Sequence, residues 1–389
     1  MKEGWKYMKL GEVCDFEGGS QPPKSEWLTQ QLDGYVRMLQ IRDFTKSRSC
    51  EIEYVKMSKK LRLCKSDDIL IGRYGASVGK ILTGLEGAYN VAIIKSIPNE
   101  SVISKRYIRR FFESGLFQNH LIKICNARAA QAGFSKEDIY DVQIPVPPLP
   151  DQQRIVSYLD AEFAKIEALK ANAEKQLQAA KDLFQAALKK LLTPKEGWVE
   201  KKLGEIGTFT RGGNFTKSDF VQKGIPCIHY GQIHMHFGVV TENCLTYLPN
   251  DFPKLKFAQK GDLIIAITSE DNEGSCKCTA WLGSEDVAVG GHIAVFHHQL
   301  YPVFMSYFFM SPSFQNDKLA YTHGFKVVEI KPSDIAKIDI SYPQPNEQKR
   351  IVARLDALSA NVKALQTNYT ETITLCNDLK QALLKKVFE

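Results

Sequence analysis

Two stretches of the chain place apolar residues at alternating steps of three and four. In the first, Leu159, Phe163, Ile166, Ala173, Leu177, Ala180, Phe184, Ala187 and Leu191 form one stripe with a single seven-residue gap. In the second, Leu355, Val362, Tyr369, Ile373, Cys376, Leu383 and Val387 hold the matching slots, with Leu365 and Leu379 beside them. A stripe this narrow belongs to helices paired along a seam rather than to one broad face on a globular core. It predicts two helices, over 151–193 and 344–389, each of about 40 residues and so about 60 Å long. The flanking residues agree. Pro145, Pro147, Pro148 and Pro150 keep the chain extended up to Asp151, which is placed as an N-cap, and Pro194 stops the run. Pro343 and Pro345 lead to Asn346 as the second cap, with Glu347 at the positive helix end.

Elsewhere the period changes. Asp68-Ile69-Leu70-Ile71 and the run Asp262 to Ile267 read as buried strands, and Gly18-Gly19 and Gly212-Gly213 as turns. Segments around Tyr107, Ile108, Phe111 and Phe112, and around Phe304, Met305, Tyr307 and Phe308, read as amphipathic helices. Two mixed α/β domains are expected, over 1–150 and 194–343. They repeat one another. Trp5, Leu10-Gly11-Glu12 and Phe16 return 193 residues later as Trp198, Leu203-Gly204-Glu205 and Phe209. Asp138-Ile139, Gln152, Arg154-Ile155-Val156 and Leu159-Asp160 return 196 residues later as Asp334-Ile335, Gln348, Arg350-Ile351-Val352 and Leu355-Asp356.

Only Pro194 to Gly197 separate the first long helix from the second domain, so the second helix covers the first one's stripe only by running back along it. The expected fold is therefore α+β: two tandem mixed α/β domains joined by two long helices in an antiparallel coiled coil, with a pseudo-twofold repeat. Pairing is assigned to Leu159, Ile166, Ala173, Leu177, Phe184 and Leu191 with Leu355, Val362, Tyr369, Ile373, Cys376 and Leu383. Ile166 is expected near Cys376 and Leu191 near Ile351.

Composition narrows the class. With 389 residues, 44% hydrophobic and 24% charged, the chain suits a multidomain globular protein. No apolar run approaches the roughly 20 residues that cross a bilayer, and Met1-Lys2-Glu3-Gly4-Trp5 is no signal peptide. Nine cysteines, an odd number without a framework, point to a reducing compartment, and a cytoplasmic location is expected. A net charge of +7 favours an anionic partner.

Catalytic patterns are absent. Base methylation needs an Asn/Asp-Pro-Pro-Tyr/Phe loop, but the Pro-Pro pairs here follow Gln21 and Val146. Gly75-Ala-Ser-Val-Gly79-Lys80 is one residue short of a P-loop and continues with Ile81. A shared Gly-Ser/Lys loop that approaches a DNA phosphate accounts better for it and for Gly274-Ser275-Cys276-Lys277. Cys276-x-Cys278 and the histidines of the second domain lack zinc spacing, and no metal is expected. Glu270-Asp271 and Glu285-Asp286 have no counterpart in the first domain and read as turn acids.

The Trp-x(n)-Leu-Gly-Glu opening, the Gly-Asp-Leu strand and the Pro-rich lead into Gln-x-Arg-Ile-Val and a long helix, repeated once, resemble the specificity subunit of type I restriction-modification enzymes. The resemblance covers essentially the whole chain. It departs in one place, where the first copy has Lys65-Ser66-Asp67-Asp68 against Gln259-Lys260-Gly261-Asp262. It implies that each domain is a target-recognition domain reading half of a bipartite DNA sequence, and that the helices space the halves. The implied partners are double-stranded DNA, two methyltransferase subunits using S-adenosylmethionine, and motor-nuclease subunits using ATP and magnesium. No cofactor is expected on this chain.

DNA contact calls for basic and amide side chains in loops between strands. Arg37, Gln40, Arg42, Lys46, Arg73, Tyr74, Ser77, Lys80, Arg128 and Gln131 fit in the first domain. Arg211, Asn214, Lys217, His229, Gln232, His234, Ser269, Asn272, Lys277, His323 and Lys326 fit in the second. Arginine-rich against histidine- and amide-rich, the sets predict unlike half-sites. Two other classes stay open: an assembly scaffold with sequence-indifferent DNA affinity, and a self-contained enzyme with a diverged site.

Overall fold

A computed structural model describes residues 4–45, 51–128, 133–324 and 327–389. The chain divides into two compact units, Met1–Ala173 with Glu371–Glu389, and Glu174–Thr370.

The first unit holds two four-stranded sheets. One runs in the order Cys14–Gly18, Ile93–Pro98, Leu70–Gly72, Ile81–Leu82, all antiparallel. The other runs Tyr54–Lys56, Tyr35–Leu39, Gly87–Tyr89, Leu63–Cys64, with one parallel pair at Met38 and Ala88. A ribbon of Lys6–Lys9 with Gln143–Val146 completes it.

The second unit repeats this plan. Gly207–Arg211, Ile293–His298, Leu263–Ala266 and Cys278–Trp281 form one sheet, which Val240–Thr241 extends at its edge. Thr246–Leu248, Ile225–Ile228, Val287–Val289 and Phe257–Ala258 form the other, parallel at Cys227 and Ala288. The ribbon pairs Val199–Lys202 with Asp339–Tyr342. The expected buried strands are both present. The glycine pairs, expected as turns, instead lie at strand ends and mark close backbone crossings: a Cβ on Gly19 would lie 2.1 Å from the Asn90 carbonyl oxygen, and one on Gly212 2.1 Å from that of Gly290. The missing glycine changes the turn's backbone, since Gly261 is left-handed at φ 100° and Asp67 is not, but the closing bond is kept: Asp68 N donates to Lys65 O at 3.1 Å and Asp262 N to Gln259 O at 3.0 Å.

Two expectations need correction. The segment Pro302–Met310 is helical, but Val303 to Phe309, Ser306 included, are all buried, so it is enclosed on every side rather than amphipathic. The first long helix starts earlier than placed, at Leu149 rather than 151, while the second starts at Pro345, within one residue of the expected bound, and each has 44 residues. Asp151 and Asn346 thus sit in the first turn, not at the cap. Pro150 and Pro345 are accommodated there because first-turn amides have no intrahelical acceptor.

Within the first unit the helices run antiparallel: Glu167 pairs with Lys380 at 2.5 Å, and Lys170 donates to Asn377 Oδ1 at 3.0 Å. Leu159, Phe163, Ile166, Cys376, Leu384 and Phe388 share one core with Tyr107 and Phe111. In the second unit Leu188, Leu192, Ile351, Val352 and Leu355 share a core, with Phe184 and Leu191 half-buried against it. Ile166 thus shares a core with Cys376, and Leu191 one with Ile351. Between the ends the seam narrows to one buried residue per heptad, at Ala173, Ala180 and Val362, while Leu177, Tyr369 and Ile373 are half-buried. Leu365 and Leu379 stay outside it, 39% and 49% exposed. Nearer the ends the buried position steps by eight, from Ala180 to Leu188 and from Cys376 to Leu384, so Leu191, Leu383 and Val387 are only half-buried. A 3.6-residue helix drifts against a seven-residue repeat, and an added residue restores the inward face. No described helix is long and apolar enough to cross a membrane.

Candidate nucleic-acid interface

In both units a loop returns the central strand of the first sheet to its neighbour with the same hydrogen bonds. Gly72 N donates to Lys80 O at 2.9 Å and Gly79 N to Gly72 O at 2.9 Å; Ala266 N donates to Lys277 O at 2.8 Å and Cys276 N to Ala266 O at 2.9 Å. Lys80 and Lys277 are therefore structural equivalents, both exposed. The residue before each is left-handed, Gly79 at φ 77° and Cys276 at φ 60°. A non-glycine residue there is strained. Burial holds it: Cys276 and Ser275 are enclosed, and the buried Lys318 ammonium donates to Ser275 O at 2.5 Å. Burial pushes the Lys318 pKa down, against the pull of nearby Cys276 and Asp271.

A second shared feature is the turn that follows the parallel strand. Gln40 N donates to Asp43 Oδ2 at 2.7 Å, and His229 N to Gln232 Oε1 at 2.9 Å. Gln40 and His229 occupy the same place with different chemistry.

In the first unit Glu53 gathers this corner. It accepts from Gln40 Nε2 at 2.6 Å, from Arg42 and from Lys24. Burial works against ionisation, but the hydrogen bonds from Lys24 and Gln40 and the charges of Lys24 and Arg42 hold its carboxyl below the usual range. Arg37 bonds Asp43 Oδ1 at 2.9 Å. A second group surrounds Gly133. Tyr74 pairs with it, Arg128 Nη1 donates to its carbonyl at 3.0 Å, and the Arg73 guanidinium lies 5.2 Å from the Tyr74 ring. Ser77 closes the single 3-10 turn between Tyr74 and Lys80.

In the second unit a ring cluster occupies the corner. Tyr230 lies 4.5 Å from the His229 ring, 5.1 Å from His292 and 6.1 Å from His234. Thr268 joins two of them, its hydroxyl 3.0 Å from His292 Nδ1 and its carbonyl 3.2 Å from His234 Nε2. Lys277 Nζ donates to the His234 carbonyl at 2.6 Å, which ties the shared loop to the cluster. Burial, then the charge of Lys217, then His292 lower the His229 pKa. At the sheet edge Arg211 bonds Glu329 Oε1 at 3.2 Å, Glu329 pairs with His323, and Ser269 pairs with Val328. Asn214 and Asn272 are exposed. Gln232 turns inward instead, donating to Thr246 Oγ1 at 3.0 Å. Lys46, Gln131 and Lys326 lie outside the described residues.

Sequence reasoning missed Lys24, Glu53, Tyr230, His292, Thr268 and Lys318. A search for basic and amide side chains passes over an organising acid such as Glu53 and an aromatic such as Tyr230. The readable signal for His292 was its place after Gly290-Gly291, where the first copy has Ala92.

Among the described residues no group of three or more His, Cys, Asp or Glu side chains could hold a metal ion. Asp271 closes a turn, accepting from Gly274 N at 2.7 Å, and Asp286 accepts from Gln259 Nε2 at 3.4 Å.

The family model of the type I restriction modification DNA specificity domain matches twice, over residues 2–179 and 195–375. The chain is 25% identical over 434 residues to the type I restriction enzyme EcoKI specificity subunit of Escherichia coli, covering 100% of this chain and 89% of that protein. It is 22% identical over 383 residues to the MjaVIII specificity subunit of Methanocaldococcus jannaschii, covering 92% and 86%. Its fold matches a chain solved in work on complex assembly and conformational transition of the type I R-M system, with a TM-score of 0.77 at 19% identity over 99% of this chain and 98% of that one. It matches the HsdS subunit from Thermoanaerobacter tengcongensis with a TM-score of 0.52 at 20% identity, over 100% and 97%. With two specificity-domain matches that between them take in both repeats and most of both long helices, the chain belongs to the type I restriction modification DNA specificity family.

Proposed function

We propose that this chain reads DNA sequence for a type I restriction-modification complex. Each domain reads one half of a split target, an unread gap of fixed length separates the halves, and the chain catalyses nothing. Methyltransferase subunits, two by the twofold repeat, and motor-nuclease subunits are its proposed partners in a reducing cytoplasm. S-adenosylmethionine, ATP and magnesium are assigned to those partners.

One observation carries the reading. The same loop presents the same exposed lysine in both units, while the side chains around it differ in kind. A common lysine suits the phosphate backbone, which is the same at every sequence, and unlike neighbours suit unlike bases. Lys80 and Lys277 are the proposed phosphate contacts. Arg42, Arg73 and Tyr74 on one side, and His229, Tyr230 and His292 on the other, are proposed to face base edges, with the remaining candidates around them.

The test is selection from randomised duplex DNA at moderate salt, using the chain co-purified with the proteins encoded beside it. A split motif with two unlike halves and a constant gap is expected. Enrichment without a motif, lost as salt rises, would mean that only the backbone is felt and would favour an assembly scaffold. Cleavage or methyl transfer by the pure chain with S-adenosylmethionine and magnesium would overturn the non-catalytic reading.

A further inference from the structure

Each long helix leaves its domain through a buried glutamine. Gln152 is 0% exposed; its Oε1 accepts from Ser104 N at 2.9 Å, and its Nε2 donates to Val102 O and Pro147 O, both at 2.9 Å. Gln348 is 1% exposed; its Oε1 accepts from Tyr301 N at 2.9 Å, and its Nε2 donates to Pro343 O at 2.8 Å. In both units the amide joins three segments: the helix, the extended chain before it, and the start of the short helix Lys105–Phe112 or Pro302–Met310.

A second anchor follows eight residues on, about 12 Å along the axis. Asp160 accepts from Arg110 Nη2 at 2.5 Å and from Arg106, and Asp356 accepts from Tyr307 Oη at 2.6 Å. On the short helices the anchors are also equally spaced, from Ser104 to Arg110 and from Tyr301 to Tyr307. The acid is the same in both repeats and its partner differs, so the position is kept while the chemistry that fills it is not.

We infer that Gln152 and Gln348, each backed by its aspartate, are positioning residues that set the rotation and axial height of each domain on its own long helix, and thereby the gap length the chain accepts. Apolar packing around Val156, Leu159 and Phe163 is non-directional and tolerates a small turn or slide; hydrogen bonds at two points do not. The inference rests on the split-target reading proposed above.

The test repeats the DNA selection with Gln152→Met and Gln348→Met, which keep length and apolar fit and remove the amide. Tyr307→Phe is run beside them, since it deletes one oxygen at the second anchor without disturbing the packing and keeps the test decisive if a glutamine variant does not fold. Half-site sequences should be unchanged, while discrimination against gaps one base pair longer or shorter falls about five-fold, the factor set by one net hydrogen bond. Folded variants that keep the parent's single gap, or that lose half-site sequence together with the gap, overturn the inference. A parent chain that selects no split motif overturns the specificity reading itself, and this inference with it.

Discussion

Both ring nitrogens of His298 are buried at the end of the strand Ile293–His298, beside Phe296 with ring centres 5.0 Å apart. Burial pushes its pKa down to about 4, with the backbone at Leu300 opposing and the neighbouring His297 assisting. The unfolded chain binds this proton near pH 6.5, the folded chain only near 4. The neutral ring's contribution is therefore complete above pH 6.5 and is lost as pH falls toward 4. We expect the protein to lose on the order of 2 kcal/mol from this group between pH 7 and pH 4.5. Urea midpoints at the two pH values, compared with those of His298→Phe, check this, and equal pH dependence in both proteins would refute it. The paired lysines make a different prediction. Lys80→Ala and Lys277→Ala should each weaken DNA binding about equally at all sequences and lower the salt slope by about one. Titrations on cognate and scrambled duplexes at several salt concentrations measure both effects, and a loss confined to the cognate duplex would make that lysine a base reader. At this scale the sequence showed residue types but not their engagements. Gln232 and His229 looked alike as candidates, yet one faces inward to Thr246 and the other caps a helix among aromatic rings.

The long helices were the most readable elements, because their apolar repeat is long and proline marks their ends. What the repeat could not show was drift. The buried set moves from Ala180 to Leu188 and from Cys376 to Leu384, where a strict heptad points to Ala187 and Leu383. Nor did spacing show that Pro302–Met310 is enclosed on every side, since short apolar runs look alike whether one face or all faces are covered. In the narrow middle of the seam the inward position repeats every seven residues, from Ala173 to Ala180 and from Val362 through Tyr369 to Cys376, so removing a whole heptad keeps the inward face. Deleting seven matched residues from the middle of each helix shortens it by about 10 Å, equivalent to about three base pairs. The selected gap should shorten accordingly with both half-sites intact. Loss of both half-site preferences would count against the spacer role.

At the scale of the whole molecule, the duplication was legible from Trp5 and Trp198 onward, and with it the tandem domains. The return of the chain end to the first unit was legible too, since a second helix running back along the first brings Cys376 to Ile166. The first compact unit is assembled from Met1–Ala173 and Glu371–Glu389, while the second is the uninterrupted segment Glu174–Thr370. In the first unit, Phe388 packs 5.3 Å from the Tyr107 ring and 5.6 Å from that of Phe111. This discontinuity imposes an order on biosynthesis. As the ribosome proceeds, the second unit acquires all its residues as one run and can close at once. The first, begun earlier, waits with Tyr107, Phe111 and Ile166 lacking their cover until residues 371–389 have been made. At ordinary elongation rates that wait is about 10 to 40 seconds. The domain translated first is therefore the one finished last, and a nascent chain carries its exposed aromatic face through the interval in which chaperones and misassembly compete for it.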